Sequence, residues 1–342
     1  MIKVAQVLAG AAQGGAENFY VRLVKELFIS GNTEQKAFLR DHQHRLESLA
    51  ETGVPVSGFR FGGPLNFFDH HRYLKALQDY RPDIVMTWMS RASKLTPNGN
   101  YKLVCRLGHY YNLKYYRHAD FWVGISKGIC DHLARGGMPS ERVFHIPNFA
   151  DETVVDSLSR DSFDTPVDRP LILAAGRLHV NKGFDVLLQS LKLIPDAILW
   201  LAGSGPEETA LKQLCSDLGL TNRVRFLGWR NDVTALMKSV DLFVCPSRHE
   251  GLGSIVMESW AHGCPIVATD SQGPGELIED GLTGLLTPVD KVEPLVIAIT
   301  SLLNNPAQRD FLKKRGEELY WQKYSRDVVV KQYEEMYQKI NG

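Results

Sequence analysis

Apolar and polar positions alternate between a strand rhythm and a helix rhythm, and the alternation runs through the chain twice. Ile2–Leu8 is a mainly apolar run, broken by Lys3 and Gln6, that ends in Ala9-Gly-Ala-Ala-Gln-Gly-Gly-Ala16, after which apolar residues recur at helical spacing from about Glu17 to Ile29. Strand, glycine turn and helix make one βα unit. Apolar runs at 83–88, 102–107, 121–125 and 143–146 continue the series, interleaved with helical stretches such as 69–80 and 127–135. A polar segment, 151–169, with Pro166 inside it and Pro170 just after, has the composition of a linker. The rhythm then restarts at 171–175, 197–202, 224–227, 241–245 and 266–269, each run followed by a helical segment. The last segment places Val329, Tyr333, Met336, Tyr337 and Ile340 on one helical face. This pattern predicts an α/β protein of two doubly wound, Rossmann-like domains facing a central cleft, because such sheets bind ligands beyond the C-terminal ends of their strands.

The length, 342 residues, agrees with two domains, since a single core rarely grows that large. The expected boundaries are 1–155 and 165–320, with a final helix over about 322–342. A hydrophobic fraction of 44% and a charged fraction of 23% are those of an ordinary soluble globular protein. No apolar run reaches the ~20 residues that span a bilayer, and Met1-Ile-Lys-Val-Ala-Gln-Val-Leu is too short for a secretion signal, so a cytoplasmic protein is expected. Five cysteines, none closely spaced, give neither a disulfide framework nor a zinc knuckle. The zero net charge hides an asymmetry: residues 1–150 hold 19 Lys and Arg against 12 Asp and Glu, a net of +7, and the remainder carries −7. A basic first half suits anionic lipid headgroups or an acidic acceptor, and plain solvated surface is the alternative. Nothing patterns as a nucleic-acid reader.

The chemistry concentrates in Glu250-Gly251-Leu252-Gly253-Ser254-Ile255-Val256-Met257-Glu258, where one carboxylate precedes a glycine loop and a second lies just inside the following helix. Glycines let backbone N–H groups approach a diphosphate, and a helix start near Ser254 adds partial positive charge where phosphate oxygens would sit. Glu258 can accept two hydrogen bonds from a ribose diol. Alone, the run also fits a solvated loop with a favourable charge at a helix start. In context it resembles the two-carboxylate signature of the family-4 type of retaining glycosyltransferases, which have the GT-B fold. The resemblance covers nearly the whole chain and is specific mainly over 170–290.

Arg177 and Lys182, five residues apart in Gly176-Arg-Leu-His-Val-Asn-Lys-Gly183, can hold both phosphates of a nucleotide, one as a forked donor and one as a point charge. The resemblance assigns these cations to leaving-group stabilisation, and Glu250 to the transferred sugar. It implies that Gly14 and Gly15 bring amides to the donor phosphate, although both also serve simply as turn residues. Gly203 and Gly205 form a further family turn. His109, after the 102–107 strand, matches the family histidine that contacts the donor sugar, with His118 as the competing choice and tyrosine packing as the plain one. Ser126 and Asn148 match positions that line the cleft, and Arg106 is placed to meet an anion. The last helix would cross back onto the first domain.

No Asp-x-Asp occurs, so no metal site and no cofactor are called for, and phosphate charge falls to protein cations and helix ends. The expected donor is a nucleoside-diphosphate sugar, UDP-, GDP- or ADP-linked, carrying a hexose or heptose. The expected acceptor is a glycan or lipid-linked sugar of lipopolysaccharide or another cell-surface polysaccharide, met in the cytoplasm or peripherally at the inner face of the membrane. The first domain is short for this family, which leaves the acceptor open. Competing readings are a nucleotide-sugar epimerase on the same fold, a phosphorylase, whose pyridoxal lysine has no signature here, and a non-catalytic sugar-nucleotide-binding module.

Overall fold

Runs such as Ile84–Trp88 and Ile198–Ala202 are buried at every position, which suits only strands covered on both faces. In the computed structural model, which describes residues 1–12, 14–62 and 66–342, they lie inside two parallel sheets. The chain divides into two compact units, Met1–Asn148 with Arg326–Gly342, and Phe149–Ser325.

Among the described residues, the first unit alternates β1 (Ile2–Leu8), α1 (Gly15–Ile29), β2 (Thr33–Arg40), α2 (Gln43–Ala50), β3 (Val56–Phe59), α3 (Asn66–Tyr80), β4 (Ile84–Trp88), α4 (Met89–Leu95), β5 (Lys102–Leu107), β6 (Phe121–Gly124), α5 (Lys127–Arg135) and β7 (Val143–His145). The sheet order is β3-β2-β1-β4-β5-β6-β7, with β1 paired to β2 from Ile2↔Thr33 and to β4 from Val4↔Ile84. The order reverses between β1 and β4, and the loop after β1 therefore opens at the switch point where such sheets take ligands.

The second unit runs β8 (Leu171–Ala175), α6 (Phe184–Lys192), β9 (Ile198–Ala202), α7 (Glu208–Asp217), β10 (Val224–Gly228), α8 (Val233–Ser239), β11 (Leu242–Cys245), α9 (Ser254–Ala261), β12 (Ile266–Thr269), α10 (Gln272–Leu277), β13 (Leu285–Thr287), α11 (Val292–Leu303) and α12 (Pro306–Lys323). Its order, β10-β9-β8-β11-β12-β13, puts the switch point between β8 and β11. The loops carrying Lys182 and Glu250 leave from those two strands.

The last helix, α13 (Arg326–Asn341), belongs to the first unit and buries Val329, Tyr333, Met336, Tyr337 and Ile340. A polar network holds it. The Gln6 amide, wholly buried in β1, donates to Gln35 Oε1 and the Tyr337 hydroxyl, both at 3.0 Å, and accepts from Trp88 Nε1 at 3.0 Å. Both N–H groups and the oxygen of that amide are bonded, which is what makes a buried polar group tolerable.

Two sequence expectations change. The 151–169 stretch is a strap fastened to the second unit. Arg160 donates to Ser239 O (3.3 Å), Arg169 O (3.1 Å) and Asp241 Oδ1 (3.1 Å), and Trp200 Nε1 donates to Thr165 Oγ1 at 2.8 Å. The change of unit accordingly falls ahead of that strap, at Asn148 and Phe149. In addition β2, β3 and β13 escape the apolar pattern. β2 opens with Thr-Glu-Gln-Lys, and β3 and β13 are edge strands of four and three residues.

Candidate active site

The two loops at the switch point of the second unit are joined by charge. After β8 the chain makes a tight turn over Val180–Lys182, and Gly183, at φ +63°, is the residue before α6; a Cβ there would stand 2.1 Å from Pro246 O. That close approach brings Lys182 Nζ onto Glu250 Oε2, with Ser247 Oγ donating to the same oxygen at 3.4 Å. Burial works to lower the Lys182 pKa, but the charge and hydrogen bond of Glu250 outweigh it and hold the ammonium above its ordinary value. Lys182 and Glu250, expected to act on different parts of a donor, thus neutralise one another. Arg177 is exposed and makes no hydrogen bond or ion pair among the described residues.

Arg248 fixes this geometry, and the sequence reading passed over it. Its guanidinium grips Asp185 at 2.9 and 2.7 Å, donates to Asp290 Oδ1 at 2.6 Å and to Val180 O at 2.7 Å. The bidentate pairing raises the Arg248 pKa. Burial would raise that of Asp185, but the Arg248 hydrogen bonds and charge lower it on balance. Arg248 therefore ties the β11 loop to the turn that carries Lys182. Nothing but its place next to the signature could have marked it in the sequence.

Beyond Glu250, Gly251 leads into buried Leu252, whose side chain is packed away, so only its backbone can meet a ligand. Gly253, at φ +73°, is the residue before α9, which begins at Ser254 as the sequence predicts. Glu258 lies in the second turn of α9 and is half-buried. Gly203 and Gly205 have a packing explanation of their own: a Cβ on the first would meet Gly176 O at 1.8 Å, and on the second Leu178 O at 2.3 Å. These glycines let the β9 loop lie against the residues flanking Arg177.

In the first unit the loop after β1 wraps a buried carboxylate. Glu17 Oε1 accepts from Ala11 N at 2.8 Å, and Arg45 donates to Ala11 O (3.0 Å) and Ala12 O (2.9 Å). A Cβ on Gly14 would come within 2.2 Å of Glu17 Oε2, so a side chain there would push the Glu17 carboxylate aside. Gly15 differs from the expectation that places it in the turn: it is the first residue of α1, and a Cβ there meets nothing within 4 Å. Both Glu17 and Arg45 were missed. Burial lowers the Arg45 pKa and the charge of Glu17 opposes this.

His109 lies two residues past β5, exposed, with its Nδ1 accepting from Tyr110 N at 2.8 Å. His118 lies just ahead of β6, with its Nε2 on Thr96 O at 3.1 Å. Ser126 caps α5, its Oγ accepting from Ile129 N at 3.3 Å. Buried Arg106 donates to Tyr333 OH at 2.9 Å and to Asn148 Oδ1, and lies 4.2 Å from the Trp88 ring centroid, which gives Arg106 and Asn148 structural work in securing α13. Among the described residues no cluster of three His, Cys, Asp or Glu is placed to hold a metal ion, and no helix is long and apolar enough to cross a membrane.

A family described as "Glycosyl transferases group 1" matches residues 156–319. The chain is 35% identical over 324 residues to the lipopolysaccharide core biosynthesis glycosyltransferase LpsE of Rhizobium meliloti, covering 94% of each. It is 30% identical over 330 residues to LpsD of the same organism, covering 96% of each. Among solved structures it is similar to a glycosyltransferase from Rickettsia africae, with a TM-score of 0.87 at 19% identity over 99% of this chain and 98% of that one. It is also similar to Anabaena HepE in complex with UDP-glucose, with a TM-score of 0.85 at 20% identity over 99% and 100%. These last two likenesses concern the fold. With two Rossmann-like α/β units of the GT-B kind and relatives matched along almost its full length, the chain belongs to the group 1 glycosyl transferases.

Proposed function

We propose that the protein is a retaining transferase of the family-4 type that moves a hexose or heptose from a nucleoside-diphosphate sugar to a glycan or lipid-linked acceptor. Lipopolysaccharide or another cell-surface polysaccharide is the product class, and two relatives matched over more than nine-tenths of the chain are named for lipopolysaccharide core synthesis. The observation that carries the reading is the meeting of Lys182 and Glu250 beside the glycine loop that opens α9. A cation, a carboxylate and a helix start within one loop pair suit a diphosphate bound to a sugar.

In this reading the second unit takes the donor and the first takes the acceptor. Glu258 accepts from the ribose diol. The amides about Gly253 and Ser254, with Arg177 and Lys182, hold the diphosphate and stabilise the charge it gains as the C1–O bond breaks with both electrons leaving on the phosphate. Each charge-assisted bond contributes roughly 1.5–3 kcal/mol. The acceptor hydroxyl attacks C1 on the face the diphosphate leaves, and its proton passes to a departing phosphate oxygen. Glu250 orients the sugar hydroxyls, and Gly203 and Gly205 shape the loops around the phosphates. Protein cations replace a metal. UDP is the first nucleotide to try, because the structure of HepE holds UDP-glucose. The first unit meets the anionic inner face of the membrane, consistent with the net of +7 over residues 1–150.

The test is a panel of UDP-, GDP- and ADP-sugars, with and without acceptor extract and with and without EDTA. Acceptor-dependent release of nucleotide that EDTA leaves intact is expected. Sugar interconversion without acceptor would make the protein an epimerase, binding without turnover would make it a module, and loss with EDTA restored by magnesium would refute the metal-free step.

A further inference from the structure

The segments that lead into β4 and β5 enclose a cavity of about 580 Å³ at the N-terminal ends of those strands, opposite the end from which the loops after β1 and β5 leave. Its walls are apolar in part, with Leu74 and Leu77 of α3, Pro82 ahead of β4 and Pro97 after α4. The rest is polar and uncrowded. Gln78, Arg81, Asp83, Asn98 and Asn100 are exposed, and Tyr101 is half-buried. The side chains of Gln78, Arg81 and Asn100 make no hydrogen bond or ion pair among the described residues. Asn98 uses only its Nδ2, on His118 O at 2.8 Å, and Asp83 uses one carboxylate oxygen, on Lys3 N at 2.8 Å. The Tyr101 ring is fixed: its hydroxyl donates to Pro97 O, and a Cβ on Gly99 would stand 2.5 Å from its Cε1. Arg81 has a φ of +50°, a left-handed backbone that side chains rarely adopt, and it precedes a proline, which restricts it further. A glycine would suit that backbone, and the chain carries a free guanidinium there instead.

Arg81 and Asp83 are the charged residues in the lining and cancel, so the cavity has no preference for a phosphate or another ion. A hydrocarbon chain would leave the amides without partners. Peptides that bind by adding a strand need the edge of a sheet, and β4 and β5 lie inside the order β3-β2-β1-β4-β5-β6-β7. The lining calls for a ligand that is uncharged, rich in groups that both donate and accept, and apolar on part of its surface. A sugar ring has those properties: neighbouring hydroxyls match the paired atoms of an amide, a carboxylate or a guanidinium, and its C–H face can lie on Tyr101 and the prolines. We propose that this cavity is a second glycan site, which holds an uncharged stretch of an oligosaccharide acceptor or product. The proposal rests on the reading that the substrate is a glycan. β4 is five residues long, so the cavity lies about 17 Å from the other end of the sheet, and a short acceptor at that end would not reach it.

The experiment titrates the full chain with core oligosaccharide of lipopolysaccharide, freed of lipid and phosphate, beside tetra-alanine and inorganic phosphate. The oligosaccharide is expected to bind more tightly than either. Arg81→Gly with Asn100→Ala should weaken it roughly tenfold, about threefold for each lost partner, with UDP binding unchanged. The melting temperature should not fall, because glycine suits the backbone at residue 81. No binding by the wild type, equal binding by the double variant, or peptide or phosphate binding as tightly as the oligosaccharide overturns the proposal. Turnover separates it from the transferase reading: the double change should raise KM for the oligosaccharide about as much as it weakens binding, leave kcat alone, and leave a disaccharide acceptor unaffected. If the wild type turns over neither acceptor and oligosaccharide binding still depends on Arg81 and Asn100, the glycan site stands and the transferase reading fails. If turnover is normal and indifferent to the double change, only the glycan site fails.

Discussion

Replacing Glu250 by Gln should tighten the binding of a free nucleoside diphosphate while turnover falls. Glu250 neutralises Lys182, and both side chains are largely buried, at 20% and 25% exposure. A diphosphate that recruits Lys182 must compete with that carboxylate. At ~4 Å and an effective dielectric constant of ~20 the bare attraction is about 4 kcal/mol, most of which desolvation offsets. The net worth of such a charged hydrogen bond is about 1.5–3 kcal/mol, against about 0.5–1.5 kcal/mol for the neutral one that glutamine keeps. The difference, roughly 1–1.4 kcal/mol, corresponds to five- to tenfold tighter binding. Calorimetric titration with UDP, GDP and ADP, read beside the melting temperature, measures it. Lys182→Ala is the counterpart and should weaken binding, because it removes the cation itself. The Lys182 pKa is raised, so its contribution is complete below the ordinary lysine value and is lost only as pH climbs through the raised one; the effect should be flat from pH 6 to 9. A folded Glu250→Gln protein with unchanged or weaker diphosphate affinity would refute the competition.

Other outcomes are open to measurement. Glu258→Ala should weaken nucleotide binding more than it changes sugar preference; unchanged affinity for the free nucleotide would remove Glu258 from the ribose. Gly203→Ala, with a Cβ 1.8 Å from Gly176 O at a φ of +143°, should cost over ~3 kcal/mol in thermal unfolding, whereas Gly15→Ala, which meets nothing, should be neutral or slightly stabilising. Lost activity in a stable Gly15→Ala protein would instead show that Gly15 touches substrate. Burial lowers the His262 pKa, and the carbonyl of Asp151, 2.7 Å from Nε2, opposes this only in part. The stability it contributes is therefore present above the ordinary histidine value near 6.5 and drains away as pH falls, so His262→Gln should flatten the decline in melting temperature between about pH 7 and 5. An unaltered slope would assign the acid sensitivity to other groups.

The central strands were legible because they are mainly apolar, and 102–107, 171–175 and 266–269 were placed to the residue. β2 was not, since Thr33 and Gln35 are polar yet buried, their side chains bonded to one another at 2.6 Å. The start of α9 was readable from its glycines. The contact between Lys182 and Glu250 was not, because 68 residues separate them and their meeting depends on Gly183 passing close beneath Pro246. Glu17 was visible as part of a glycine loop, but its burial depends on Arg45 from α2, which no local pattern announces. Residues that act through their neighbours in sequence were found, and those that act through neighbours in space were missed.

The return of α13 to the first unit has a consequence for how the chain is made. Burial of each of its six buried apolar side chains, Val330 among them, is worth ~1.5–3 kcal/mol, so together they rival the whole stability of a typical domain. Met1–Asn148 lacks these side chains until α13 has been made. Phe149–Ser325 is continuous and can complete itself while the ribosome is still at work. The unit whose strands are made earlier is thus the one that matures later, and a chain cut just ahead of α13 would spoil the first unit rather than the second.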